Sequence, residues 1–225
     1  MMDCISVENM RLSDAYTIAN FVPSLTLMHR AAYGVYLAHD WKGPVAIVAG
    51  SGNNGGDGFA LACILKEKGI DCRVFTLGSK LSADSAFYAE KAASLSVPVC
   101  AFEVGCLKGA SEVVDCLLGT GFQGSVRENY RSAMEEINGC GAFVVSVDIN
   151  SGMNGDTGNC EIAVKSDLTV TVGYVKTGLV AKNAGNYIKK LVCADIGIVL
   201  VKKEGNITLE SAPSWLDQNI INAIV

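Results

Sequence analysis

The sequence has no run of lysine or arginine longer than a pair, and its 18 basic residues are outnumbered by 23 acidic ones. It therefore carries no electrostatic footprint for nucleic acid or an anionic membrane surface. The basic, apolar and small-residue order of a secretory signal is missing, because residues 1–20 read as an amphipathic helix containing Glu8, Arg11 and Asp14. Apolar runs fall well short of a membrane span. The nine cysteines include no Cys-x-x-Cys pair. An odd, dispersed set of that kind suits a reducing cytoplasm better than a disulfide framework or a zinc site. Internal repeats, low-complexity segments and an interdomain linker are likewise absent.

What is present is core material. The 225 residues are 50% hydrophobic, with a mean hydropathy of +0.31, enough to bury both faces of a sheet within one domain. Two helical patterns, at residues 7–20 and 25–40 and punctuated by Pro23, form an N-terminal helical arm spanning residues 1–42. From Pro44 onward, short apolar runs alternate with amphipathic stretches. VAIVAG is followed by a helix at 57–68, CRVFTL by a helix at 83–94, and EVVDCLLG (112–119) by a helix at 130–137; FVVSVDI (143–149) comes next. Further strands are expected at 167–172, 190–194 and 207–209. This alternation predicts a three-layer, doubly wound, Rossmann-like α/β fold with a mostly parallel sheet over 43–210, and leaves 211–225 as a tail. Loops at the carboxyl ends of such strands converge on one crevice.

The first unusual loop reads AGSGNNGGDGF over 49–59, with Gly50, Gly52 and Gly55 matching G-x-G-x-x-G between a strand and a helix. Glycines there allow a tight turn and close backbone approach to a phosphate. A dinucleotide dehydrogenase carries an acidic residue ~20 positions on to hold a ribose. Here that place is Thr76, Leu77, Gly78 and Ser79, so hydride transfer is disfavoured. Asn53, Asn54 and Asp57 add polar groups that a simple pyrophosphate turn does not need.

The second loop, VDCLLGTGFQGSVR, puts Asp115 inside an apolar strand ahead of a glycine-rich turn at 119–124. Taken alone, Asp115 is better explained as a structural carboxylate capping nearby backbone. The third loop, VDINSGMNGDTG, carries Asp148 out of its strand into a turn with Asn150, Ser151, Asn154, Asp156 and Thr157. By itself this segment divides evenly between an Asx-rich turn and a site; convergence of all three loops favours a site. A serine-hydrolase triad is unsupported, since Ser51 lacks a G-x-S-x-G frame and neither His29 nor His39 falls near Ser151.

NNGGDG after a strand resembles the YjeF N-terminal domain family, the NAD(P)H-hydrate epimerases, and the likeness runs over residues 6–198. GTGFQG resembles that family's substrate loop and VDINSGMNGDTG its VDIPSG-type signature, with Asn150 standing where proline is usual, a change expected to loosen the turn but to remove no ligand. LMHRAA replaces a more usual LMENAG, placing His29 and Arg30 where an acid and an amide are expected. The resemblance implies an isomerase that interconverts the R and S epimers of hydrated NADH or NADPH in nucleotide repair. It also implies substrate contacts at Asn53, Asn54, Gly55, Gly56 and Asp57, at Gly119, Thr120, Gly121, Phe122, Gln123, Gly124 and Ser125, and at Asp148. A potassium ion (K+) would be held by Asn54, Asp115 and Ser151, a hard-oxygen donor set suited to it. A homodimer and fusion to, or work beside, an ATP- or ADP-dependent dehydratase are also implied. The same domain type occurs in non-catalytic, partner-binding scaffolds, which is the alternative.

The chemistry asks for a carboxyl. The hydroxyl beside the ring nitrogen is expelled by lone-pair push, and readdition of water from the other face inverts the centre. One carboxyl alternating as acid and base would serve, and Asp148 is the candidate. Lys176, in a Lys-x-Gly turn that also resembles the family, is a minor candidate that would sit near the crevice and attract phosphate, the commoner alternative being a merely solvated lysine.

Overall fold

The computed structural model describes residues 2–78, 80–208 and 210–225. The apolar runs become strands β1 (Met2–Ile5), β2 (Val45–Ala49), β3 (Cys72–Thr76), β4 (Val99–Ala101), β5 (Glu112–Cys116) and β6 (Phe143–Val147). They are followed by β7 (Leu168–Val172), β8 (Val175–Lys176), β9 (Leu191–Asp195), β10 (Gly205–Ile207) and β11 (Leu216–Asn222). The helices are α1 (Val7–Asn20), α2 (Ser24–Leu37), α3 (Asn53–Glu67), α4 (Ala83–Ser94) and α5 (Glu128–Gly139).

Eight strands form one all-parallel sheet in the order β11-β9-β7-β6-β5-β2-β3-β4. Alternation along β2 shows how it is sandwiched. Val45, Ile47 and Ala49 pack with residues of α2, α3 and α4, while Ala46 and Val48 pack on the other face with Tyr130, Ala133, Met134 and Ile137 of α5. From β2 the chain winds outward through α3, β3, α4 and β4, then returns to β5 on the opposite side of β2. The crevice between the loops leaving β2 and β5 is therefore the topological switch point, where ligands of open α/β sheets bind.

Local signals explain the helix boundaries. The Ser6 side chain caps α1 by accepting from the Asn9 N–H at 3.2 Å, with Glu8 in the first turn. Ser82 does the same for α4 through the Ser85 N–H. By contrast, α3 starts at Gly52 with no side-chain cap, leaving its first N–H groups open.

Several expectations need correction. The helix expected at 57–68 begins at Asn53, so NNGGD is its first turn and not loop. Residues 211–225 are not a mere tail: β11 is the edge strand beside β9. The N-terminal segment is not only helical, because β1 joins β8 and β10 in a second, three-stranded sheet, with Ile5 opposite Lys176. Of the strand expected at 207–209, Ile207 closes β10, and Leu209, like Ser79 and Met1, lies outside the described residues. Among the described residues no helix is long and apolar enough to cross a membrane, and all nine cysteines are unpaired.

Candidate active site

A cavity of about 660 Å³ opens at the switch point. Its walls carry Gly52, Asn53, Asn54 and Asp57 from the start of α3, Leu117 to Gln123 and Ser125 from the loop after β5, and Asp148 from the end of β6. The three loops singled out in the sequence thus meet. Not every predicted contact faces the cavity: Gly55, Gly56 and Gly124 do not line it.

The glycine pattern serves packing more than ligand approach. A Cβ on Gly50 would lie 2.0 Å from the Leu117 carbonyl oxygen, and one on Gly55 would lie 1.9 Å from the Gly50 carbonyl oxygen. Gly50 thus lets the first loop press backbone against the second, and Gly55 lets the start of α3 press against Gly50. Only Gly52 among the three of the G-x-G-x-x-G pattern has open space beside it, and it lines the cavity at the uncapped start of α3.

Beneath the wall, Asp115 is fully buried in β5. Its Oδ2 accepts from Ser146 Oγ and from the Ser151 N–H, both at 2.9 Å. Its Oδ1 accepts from the Leu117 N–H at 3.3 Å and from Ser151 Oγ. Burial pushes this carboxyl up and the donors from Ser151, Ser146 and Leu117 pull it back, burial prevailing. Ser151 Oγ also accepts from the Leu118 N–H at 2.8 Å, and Asn54 Nδ2 donates to the Leu118 carbonyl at 3.0 Å. One chain of contacts therefore ties Asn54, Ser151 and Asp115 together. Asn54 Oδ1, buried in that cluster, has no hydrogen-bond partner among the described residues.

Asp148 has a left-handed backbone, φ +68°, which Asp tolerates better than most residues. Its Oδ1 accepts from Lys176 Nζ and, more weakly, from the Val172 N–H at 3.4 Å and Thr171 Oγ1 at 3.5 Å. Asp148 Oδ2 accepts no hydrogen bond among the described residues, and Asp148 lines the cavity.

Lys176 takes the less favoured of the two readings its turn offered, a place at the crevice. It is not solvated but has no exposed surface, and it also donates to the Val172 carbonyl at 2.7 Å and to Thr171 Oγ1 at 3.2 Å. A buried ammonium is tolerable only with such partners. Its place in β8, paired with β1, sets it under Asp148 at the cavity wall.

Three further carboxyls, of Asp14, Asp57 and Asp84, line the same cavity. Burial pushes Asp57 well above the ordinary carboxylate range, with the charges of Asp148 and Asp14 adding and Lys176 opposing. Asp14 of α1 is raised as well, by burial first and then by Asp148 and Asp84 against the pull of Lys176.

Residues 24–178 match the family described as YjeF-related protein N-terminus, a span that includes all three loops and Lys176. The chain belongs to that family. An NAD(P)H-hydrate epimerase of Limosilactobacillus fermentum is 37% identical over 199 residues, covering 85% of this chain and 95% of that one. The Limosilactobacillus reuteri protein of the same name is 36% identical over 207 residues, covering 88% and 97%. A bifunctional NAD(P)H-hydrate repair enzyme of Archaeoglobus fulgidus is 37% identical across 88% of this chain but only 42% of its own length. The crystal structure of yeast YNL200c superposes with a TM-score of 0.74 at 21% identity, covering 91% of this chain and 97% of that one.

In this YjeF-family chain the helical arm also builds the site. Met10, Arg11, Asp14 and Ile18 of α1, and Leu27, Met28 and Ala31 of α2, line the cavity, and Arg11 Nη2 donates to the Thr120 carbonyl at 2.7 Å. His29 and Arg30 are not in the lining; Arg30 instead donates to the carbonyls of Ile196 and Val225. Asn150 does not loosen its turn. It is fully buried, its Nδ2 donates to the Val164 carbonyl at 2.9 Å and Ser166 Oγ at 3.0 Å, and its Oδ1 accepts from Thr169 Oγ1 at 2.7 Å.

Proposed function

We propose that this chain is an NAD(P)H-hydrate epimerase, an isomerase that inverts the hydroxyl-bearing ring carbon of hydrated NADH or NADPH. The observation carrying the reading is the joining of three family loops around one cavity, with a carboxylate, Asp148, held there by a buried lysine. A partner-binding scaffold has no need to bury a lysine for that purpose.

In this reading the open N–H groups of α3 and the loop 119–125 hold the dinucleotide, and Arg11 fixes that loop by its bond to Thr120. The ring enters beside Asp148. Nitrogen lone-pair push breaks the carbon–oxygen bond, a carboxyl gives its proton to the departing hydroxyl, and water is released. A planar iminium remains. Water adds to the opposite face and surrenders a proton to a carboxylate, so atoms and charge balance. Asp148 is the proton-transferring residue of this scheme.

Asn54, Asp115 and Ser151 would hold a potassium ion, and the orphaned Asn54 Oδ1 beside a buried carboxylate suits a monovalent cation with oxygen ligands. When bound it would supply a fixed positive charge that neutralises Asp115 and clamps the first loop to the third. Residues 1–225 work as one domain in this scheme, since α1 and Lys176 of β8 complete the walls. Nine unpaired thiols suit a cytoplasmic setting. A homodimer is part of the proposal, tested by sedimentation, as is hand-over of one epimer to a stereospecific dehydratase.

The deciding assay follows each purified hydrate epimer by chiral chromatography, with potassium and with a non-binding counter-cation. Inversion above the spontaneous rate, stimulated by potassium, is expected. Binding of the hydrate without inversion would make the scaffold reading the better account.

A further inference from the structure

Inversion presents a geometric problem. The hydroxyl leaves one face of the ring and water returns to the other, so a proton must be delivered on one side and collected on the other. A single carboxyl could do both only by swinging across the ring. Asp148 is poorly placed to swing: its backbone is left-handed, Lys176 grips its Oδ1, and the Val172 N–H and Thr171 hydroxyl hold the same oxygen.

A second carboxyl is in the same cavity on a different element. Asp57 is the fifth residue of α3, whereas Asp148 ends β6, so the two reach the cavity from separate supports. Their surroundings differ as a donor and an acceptor of protons should. Asp148 is matched with a lysine; among the described residues Asp57 has no salt-bridge partner, with Asp14 of α1 adding its negative charge nearby.

Resting on the epimerase reading, we propose that Asp57 is a second catalytic residue, so that Asp57 and Asp148 flank the nicotinamide ring and serve its opposite faces. In one direction protonated Asp57 gives its proton to the departing hydroxyl, water leaves, and water on the far face adds to the iminium while Asp148 takes its proton. The other epimer reacts by the reverse path, with Asp148 as donor. Solvent exchange restores the starting protonation. Burial, Asp148 and Asp14 all push Asp57 toward its neutral form, Lys176 opposes, and Asp84 lines the cavity nearby.

Oxygen-18 exchange tests the assignment. Each hydrate epimer is incubated in labelled water with wild type, Asp57→Asn or Asp148→Asn, and inversion and label uptake are measured separately by chiral chromatography and mass spectrometry. Both variants should lose inversion by roughly 10²- to 10⁴-fold. Each should still exchange label, without inversion, into one epimer, and the two variants should do so into opposite epimers. Melting temperature and binding of NADH, which has no hydroxyl to lose, confirm that each variant is folded and its cavity intact. Asp57→Asn inverting within tenfold of wild type, or both folded variants losing exchange into both epimers, would overturn the proposal and leave the epimerase reading standing. A wild type that fails to invert either epimer sinks that reading and this proposal together.

Discussion

Asp115→Ala is the perturbation whose size follows most directly from the structure. The carboxylate has no exposed surface and accepts from the N–H groups of Ser151 and Leu117 and the hydroxyls of Ser146 and Ser151. Removal strands two backbone donors, each costing about 1–3 kcal/mol when buried without a partner. The Ser151 hydroxyl is less affected, because it already lies 3.2 Å from the Leu118 carbonyl. Relief of the carboxyl's own burial penalty, visible in its raised pKa, offsets part of the loss. A net destabilisation of about 2–4 kcal/mol remains, or roughly 4–16 °C in melting temperature at ~2–4 °C per kcal/mol for a chain of this size. Asp115→Asn keeps one carbonyl acceptor and should fall between Ala and wild type. Differential scanning fluorimetry in potassium-free buffer isolates the protein's own term. An Ala variant melting within about 2 °C of wild type would refute the accounting.

Other perturbations separate the remaining roles. Asp57 is raised in the folded state, so its contribution to stability is present below the ordinary value of 3.8 and is lost as pH rises through its folded value. Asp57→Asn should therefore melt above wild type at alkaline pH by about 2–4 °C per kcal/mol relieved, the gain shrinking toward pH 4; a pH-independent difference contradicts this. Asn150→Ala removes three buried side-chain hydrogen bonds and should cost about 1–3 kcal/mol, read by denaturant midpoint, with no change counting against the clamp. Arg11→Met frees the loop at Thr120 and should raise KM several-fold while leaving kcat within about threefold; an unchanged KM would remove Arg11 from substrate-loop closure. Crystals grown in rubidium or thallium should show anomalous density beside Asn54, Asp115 and Ser151, and density elsewhere in the cavity alone would reject that ligand set.

Elements with strong local signals were legible. Val45–Ala49, Cys72–Thr76, Glu112–Cys116 and Phe143–Val147 are apolar runs at regular spacing, and α4 spans Ala83–Ser94 as its pattern implies. What escaped depends on partners distant in the chain. Met2–Ile5 is a strand because β8 and β10 lie beside it, and Leu216–Asn222 because β9 presents a free edge. The same holds in the site. Asn54, Asp115, Asp148 and Ser151 lie in segments whose composition is unusual in itself, whereas Lys176 is flanked by Val175 and Thr177 with nothing local to show that it is buried. Asp14 carries no local signal of a site either, and it lines the cavity because α1 packs over it.

Asn150 shows why a departure from a family pattern has to be read in three dimensions. Proline at that position would limit the turn covalently, through a fixed φ. Asparagine leaves φ freer, yet its amide joins the turn to Val164, Ser166 and Thr169, three residues on the segment that leads into and begins β7. That strand also ends in Thr171 and Val172, which hold Asp148 and Lys176. The asparagine thus braces the segment leading into β7 on one side and the turn carrying Ser151 on the other. Rigidity that a proline ring would give is here supplied by hydrogen bonds inside a dry interior, where they are costly to break. Asp148 on the cavity wall and Ser151 beneath it, on either side of Asn150 in the chain, keep their separation because both are anchored to the same sheet through independent contacts.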